Sequence, residues 1–161
     1  YTESEKEKYI SEIGKAKFQD FTIAPSHTCE HIINQTMVRM FDCGRAISAH
    51  IEKKKSKLDF RMDKELSLED LQRLESEVNR IISQDLPIII TFISEEEARA
   101  RFDINRLPDG TSDRFRVVSI GDYDHCLCIG AHVEHTMEIG TFKLLNHSYS
   151  DGVLRIRWKL I

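Results

Sequence analysis

Two short segments of the chain each carry a pair of potential metal ligands four positions apart: His27 with His31, and Cys128 with His132. Residues at i and i+4 lie on the same face of a helix, so a helical segment presents such a pair to a single ion. Together the pairs supply three imidazoles and one thiolate, the ligand number and types that a tetrahedral zinc ion prefers. Each pair alone is weak evidence, but their joint occurrence in one small domain predicts a zinc site.

The predicted site can be structural or chemical. A metal ion needs Cys128 as a thiolate and the three histidines in their neutral form. Four protein ligands bound at once make a closed site, and closed zinc sites are usually structural. If one ligand is loose or replaced by water, the ion can polarise a carbonyl or lower the pKa of that water. The sequence leaves both possibilities open. Cys126 and His135 lie nearby, and we expect the former in or beside the core and the latter on the surface.

The first segment also fits the pattern H-x-x-E-H, the helix signature of one class of metallopeptidase. In that class Glu30 would be the catalytic general base. Two observations disfavour this alternative: the chain is small for such an enzyme, and the class does not require a Cys-x-x-x-His partner. We favour the interpretation of Glu30 as an exposed helix residue and keep the peptidase as a competing hypothesis.

The composition indicates one globular domain over residues 1–161. Hydrophobic residues make up 40% of the chain and charged residues 31%, proportions typical of a folded domain. No apolar run approaches the length that crosses a bilayer, and the charged N-terminus does not resemble a signal peptide. Two of the four cysteines lie beside histidines, which favours metal binding in a reducing compartment over disulfides. We therefore predict a cytoplasmic location.

The net charge of −4 disfavours indiscriminate nucleic-acid binding but permits a local basic face. One basic run contains Lys53, Lys54 and Lys55. In a second group, Arg155 and Arg157 alternate with apolar residues. At a strand's period of two, this alternation places the cations on one face. Each group taken alone predicts no more than a solvated surface.

The first ligand pair must be positioned by a helix. Pro25-Ser26 marks the helix start, with Ser26 as its N-cap. The helix then runs to about Phe41 and carries both histidines of the pair on adjoining turns.

Further helices are predicted from their caps. Ser67 opens the helix with the clearest apolar periodicity, because Asp70 three residues later completes a near capping box. Ser94 caps a short helix. A polar helix within residues 1–21 is expected to be a peripheral addition to a core of residues 22–161.

The strands are joined mostly by short turns. Residues 86–93 are predicted as a buried strand, residues 115–120 as a strand leading into the second ligand segment, and the chain as ending in a hairpin. Further strands are predicted at residues 46–52 and 56–62, and a turn at residues 108–110. The predicted hairpin is formed by residues 139–145 and 153–161. The mixture predicts an α+β fold with two layers, in which helices pack on an antiparallel sheet.

Four segments in chain order resemble motifs of the alanyl-tRNA synthetase editing domain and its free-standing relatives, the AlaX proteins. The resemblance covers residues 22–158. Ala131 stands where the family usually has Thr, and Ile129 replaces a Gly. The matching segments are His27-Thr28-x-x-His31 (HxxxH), Leu58-Asp59-Phe60 (LDF), Leu86-Pro87-Ile88 (LPI) and Cys128-x-Gly130-Ala131-His132-Val133 with Thr136-x-Glu138-Ile139-Gly140 (CxGTHV…TxEIG).

The resemblance implies a short AlaX-type protein with the fold of the threonyl- and alanyl-tRNA synthetase editing domains. Such proteins are trans-editing hydrolases that need no ATP. They cleave the ester that links a wrong amino acid, typically serine, to tRNA(Ala). The family pattern implies a zinc ion held by His27, His31, Cys128 and His132. Lys53, Lys54, Lys55, Arg155 and Arg157 would contact the acceptor end of the mischarged tRNA.

The residue next to the first ligand is the candidate for recognising serine. A synthetase pocket for alanine cannot strongly reject a side chain that adds only a hydroxyl, whereas a second site that hydrogen-bonds this hydroxyl can discriminate. Thr28 is therefore expected to contact the substrate, with local capping or packing as the equal alternative. A non-catalytic zinc-containing module that binds tRNA is the alternative function.

Overall fold

The computed structural model describes residues 20–102 and 114–161. The N-terminal helix predicted within residues 1–21 and the turn predicted at residues 108–110 lie outside this part of the chain, apart from residues 20 and 21. Among the described residues, no helix has both the length and the apolar character that crossing a membrane requires.

Helix α1 spans Ala24–Phe41 and carries the first ligand pair. It begins before Ser26, so the prediction of Ser26 as the N-cap is wrong. The N-cap is Ile23, which makes no capping hydrogen bond with its side chain. Pro25 occupies the first turn, where a missing N–H removes no helical hydrogen bond. A 3₁₀ turn over Phe21–Ile23 precedes the helix.

Helix α2 spans Leu68–Ser83, and its predicted capping box is confirmed. The Ser67 hydroxyl accepts a hydrogen bond from the Asp70 backbone N–H at 3.1 Å, and the Asp70 carboxylate accepts one from the Ser67 N–H at 3.2 Å. The short helix α3, Glu95–Arg101, begins at the predicted Ser94 cap.

Within residues 20–102 and 114–161, seven strands form two antiparallel sheets, which confirms the α+β class with helices packed on antiparallel sheets. A four-stranded sheet has the order β1-β2-β7-β6, and a three-stranded sheet has the order β3-β4-β5. The strands are β1 Ser48–His50, β2 Ser56–Arg61, β3 Ile88–Ser94, β4 Arg114–Ile120, β5 Asp124–Leu127, β6 Phe142–Ser150 and β7 Val153–Leu160.

The small sheet differs from the sequence prediction in two ways. Strand β3 is not buried along its length, because it lies at the edge of its sheet and Ile89 on it is 49% exposed. Strand β5 was not predicted, since four residues with one charged side chain give no clear alternation. The second ligand segment consequently follows β5 rather than β4.

The main core lies between α1, α2 and the inner face of the four-stranded sheet. Helix α1 contributes Cys29, Ile33 and Met37, and the sheet contributes Phe60 and Trp158. Residues two apart on a helix point in nearly opposite directions. His27 and His31 therefore lie on the face of α1 that points away from this sheet, where β5 and the segment after it cover the helix.

Candidate metal centre

The structure brings the four predicted ligands together. Each offers one ligand atom, and these four atoms all lie within 4.8 Å of one another. The Cys128 Sγ lies 3.4 Å from the Nε2 of His27 and 3.4 Å from the Nε2 of His132. Ligands bound at about 2.0–2.3 Å to a tetrahedral ion are roughly 3.3–3.8 Å apart. The spacing and the donor types therefore fit a metal ion, and the role of these residues as zinc ligands stays a prediction.

The outward-facing Nδ1 of each imidazole lies opposite an oxygen atom. The Nδ1 of His27 faces the carbonyl oxygen of Ala131 at 3.2 Å. A carbonyl can only accept, so this Nδ1 carries the proton and its Nε2 carries a lone pair. Metal-binding histidines usually donate their other N–H to an oxygen in this manner.

His132 is oriented by Thr28. The Thr28 hydroxyl donates its proton to the Ala24 carbonyl at 2.9 Å and accepts the Val133 N–H at 3.2 Å. It lies 2.9 Å from the His132 Nδ1. Since the hydroxyl has given away its only proton, the Nδ1 must donate to it, and the His132 Nε2 is left free for a metal ion.

The Nδ1 of His31 faces a buried carboxylate that sequence analysis missed. Its Nδ1 lies 3.7 Å from the Asp124 Oδ2 and has no hydrogen-bond partner. Asp124 is fully buried and accepts hydrogen bonds from Arg45 at 2.7 Å and from Gln35 at 3.2 Å. A lone aspartate at the start of an unpredicted strand gave no local pattern from which to infer this role.

Residues 128–132, which we call the ligand loop, are held by Arg116 of β4. This buried side chain donates to the carbonyl oxygens of Cys128 at 3.0 Å and Gly130 at 2.8 Å. A cation between the apolar residues Phe115 and Val117 of a strand is an unusual pattern, and it was the sequence feature that could have indicated a buried partner.

Gly130 fits the loop against the first ligand. A Cβ at this position would lie 2.1 Å from the Cε1 of His27. No side chain can occupy that space unless the imidazole or the loop moves. The glycine of the C-x-G motif is therefore required sterically in this chain.

The ligands shift one another's pKa in the absence of a metal ion. Burial raises the pKa of the Cys128 thiol, but the charge of His31 and the close contacts with the rings of His132 and His27 more than offset this, so the pKa lies well below its usual value. Burial lowers the pKa of His31, but Cys128, Cys126 and Asp124 together raise it well above its usual value. These two shifts favour a thiolate beside an imidazolium in the metal-free protein, and a metal ion would displace that proton.

Comparisons with known proteins agree with the geometry. Residues 115–157 match the family described as "Threonyl and Alanyl tRNA synthetase second additional domain". The alanine–tRNA ligase of Geobacillus kaustophilus is 31% identical over 88% of this chain, and that of Aeropyrum pernix is 31% identical over 86%. The enzyme of Coxiella burnetii is 29% identical over 94% of the chain. The chain is a relative of the alanyl-tRNA synthetase editing domain.

This editing-domain relative spans only 16% of the length of the Geobacillus kaustophilus and Aeropyrum pernix enzymes. The aligned region includes both ligand pairs, because it covers most of the chain, whereas the family match covers only the second pair.

The remaining predicted site residues lie in different surroundings. Thr28 is buried, and its hydroxyl already has three polar partners, so its contact with substrate stays a prediction. Glu30 lies beside the centre, with its side chain 16% exposed. Arg155 and Arg157 lie on the outer face of the four-stranded sheet, away from the centre. Lys53, Lys54 and Lys55 are exposed in the connection between β1 and β2.

Proposed function

We propose that the chain is a zinc-dependent aminoacyl-tRNA deacylase that acts on mischarged tRNA(Ala), most of all seryl-tRNA(Ala), in the cytoplasm. One observation carries the proposal: three imidazoles and one thiolate converge, and each imidazole turns its Nδ1 outward to an oxygen. Zinc held by His27, His31, Cys128 and His132 would supply positive charge for an ester carbonyl or would hold the pocket in shape.

The reaction is the hydrolysis of an activated ester. Water adds to the carbonyl carbon, the bond to the ribose oxygen breaks, and free tRNA and the amino acid leave, so no nucleotide is consumed. The task of the protein is to position the ester and a water molecule. Arg116 supports this by fixing the ligand loop, and Thr28 by fixing the His132 ring.

We further propose that the tRNA backbone binds the outer face of the four-stranded sheet, which we call the basic sheet face. Cross-strand pairing places Lys57 opposite Arg157, and Lys143 opposite Lys159. Arg155 on the same face is paired with Asp59 at 2.8 and 2.9 Å. These lysines and arginines carry positive charge, which attracts phosphates, although the net charge of the chain is −4.

The basic sheet face and the metal centre lie on opposite sides of the layer formed by α1. The residues that would bind phosphates are therefore different from those that would act on the ester. Replacing Lys57 and Arg157 by Gln should weaken tRNA binding and reduce its salt dependence, while kcat at saturating tRNA stays unchanged.

The deciding experiment follows ester loss from seryl-tRNA(Ala) and alanyl-tRNA(Ala) after zinc content has been measured. We expect faster loss of serine than in buffer, little loss of alanine, and neither activity nor full zinc content in His31→Ala. Loss at the buffer rate with zinc bound would instead support the non-catalytic binding module, which the closed four-ligand arrangement also fits. Cleavage of unstructured peptides that disappears in Glu30→Gln would support the peptidase.

A further inference from the structure

Glu30 places a carboxylate beside two of the four ligands of the metal centre. Its Oε2 lies 3.6 Å from the Nε2 of His31 and 3.8 Å from the Nε2 of His27. Its other oxygen is 3.4 Å from the side-chain amide of Asn34, one helical turn along α1. The carboxylate is thus partly fixed, and one oxygen faces the space beside the two nitrogens that would hold a metal ion.

The centre does not need Glu30 as a ligand. His27, His31, Cys128 and His132 already supply four donor atoms that lie within 4.8 Å of one another, which is a complete tetrahedral set. A divalent ion with one thiolate and three neutral imidazoles leaves a single positive charge in excess. A partly buried carboxylate beside that charge is stabilised, and it makes the adjoining space suitable for a second cation.

An aminoacyl ester brings such a cation with it. Its α-ammonium nitrogen is about 2.5 Å from the carbonyl carbon, since only one carbon separates them. An ester whose carbonyl lies at the centre therefore has its ammonium close by. Without a neighbouring anion, the positive charge of the centre would repel this group.

We propose that Glu30 binds the α-ammonium group of the aminoacyl ester and so restricts the centre to esters with an unblocked amino group. This inference rests on the proposed deacylase function and adds the feature of the substrate that the site requires. Glu30 is then a substrate-binding residue. Glu30 lies three residues after His27, one helical turn along α1, and directly before His31, so the helix brings its carboxylate close to both ligands.

The test compares two non-hydrolysable ligands, the 3′-amide of serine with 3′-amino-adenosine and the same compound without its α-amino group. Equilibrium binding is measured with wild type and Glu30→Gln, with zinc content determined for each. Wild type should bind the seryl compound at least about tenfold more tightly than the deaminated one, since a hydrogen-bonded charge pair is lost. Glu30→Gln should bind both about equally and retain its zinc. The matched control Glu69→Gln, on the exposed first turn of α2, should behave like wild type.

Three results would overturn the inference. Equal binding of the two compounds by wild type removes the ammonium contact, and a preference that survives in Glu30→Gln assigns it to another group. Loss of zinc from Glu30→Gln would make Glu30 a metal ligand instead. If wild type also hydrolyses seryl-tRNA(Ala), each of these outcomes refutes the role of Glu30 alone. If wild type binds neither compound and hydrolyses no ester, the proposed function fails together with it.

A substrate comparison separates this role from general base catalysis. Wild type should cleave N-acetyl-seryl-tRNA(Ala) much more slowly than seryl-tRNA(Ala), and Glu30→Gln should reduce that difference, chiefly through KM for the unblocked substrate. An equal fall in kcat for both substrates would show that Glu30 acts on water and not on the ammonium group, which would contradict the proposal.

Discussion

The two ligand pairs have the same spacing but are positioned by different means. His27 and His31 lie on the long helix α1, whose backbone hydrogen bonds fix their relative positions. Cys128 and His132 lie on a loop, which local backbone bonds do not shape into a helix. The loop depends on Arg116 and Thr28, which are distant in sequence. The two pairs therefore differ in spite of their equal spacing. The positions of His27 and His31 are fixed locally by the helix, whereas those of Cys128 and His132 depend on tertiary contacts.

The comparison predicts that changes to the packing of the loop have the largest effects. Gly130→Ala should lower zinc affinity by roughly 100-fold, because the new methyl group would lie 2.1 Å from the His27 ring and overpacking of this kind costs up to about 3 kcal/mol. Competition with a zinc chelator measures the change. Gly44→Ala is the matched control, since a Cβ at Gly44 meets nothing within 4 Å. Equal affinities for both variants would show that the loop is free to move.

Removing the long-range support of the loop should have the next largest effect. Arg116→Met deprives the Cys128 and Gly130 carbonyls of their donor and should lower the free energy of unfolding of the metal-free protein by about 2 kcal/mol. Urea unfolding measures it, and Arg73→Met on the exposed surface of α2 is the control. An unchanged midpoint would contradict the dependence of the loop on β4.

The helical half should be less sensitive. Asp124→Asn keeps the shape but removes the charge facing His31, and loss of such an outer partner lowers metal affinity by about tenfold. Zinc competition at one fixed pH measures it, with Glu69→Gln on the exposed first turn of α2 as the control. A loss as large as that of Gly130→Ala would remove the distinction between the two halves.

The last comparison concerns pH, where the pKa values of one histidine from each half shift in opposite directions. Burial lowers the pKa of His132 to about 3, so the unfolded chain binds a proton that the folded, metal-free protein rejects. Stability due to His132 is therefore lost as pH falls from about 6.5 towards 3, by at most about 1.4 kcal/mol per pH unit. The pKa of His31 is raised, so its stabilisation is present below about 6.5 and is lost as pH rises through its folded pKa.

Imidazole chemical shifts of the metal-free protein measure both titrations separately. We expect His132 to stay neutral where His31 stays protonated. Ordinary titration of both rings near pH 6.5 would show that the two environments do not differ.

The same division explains what the sequence predicted. The capping box at Ser67 and the helix that carries His27 and His31 follow from short patterns whose physical causes are local. Ser26 was misassigned because Pro25 permits the helix to start earlier. Asp124 and Arg116 were missed because their roles exist only when β4 and β5 pair and meet α1. The prediction that β3 is buried was wrong for a related reason, since an apolar run does not reveal that a strand lies at the edge of its sheet.

The distance along the chain between the two halves has one more consequence. His27 and Cys128 are 101 positions apart in sequence and in contact in space. A cation gripped by both would act as a reversible cross-link across most of the polypeptide, and cross-links that span long segments restrict the unfolded ensemble strongly. Removing the ion with a chelator would then affect more than the pocket. It would remove the cross-link between α1 and the ligand loop, and proteases would cleave the domain more readily.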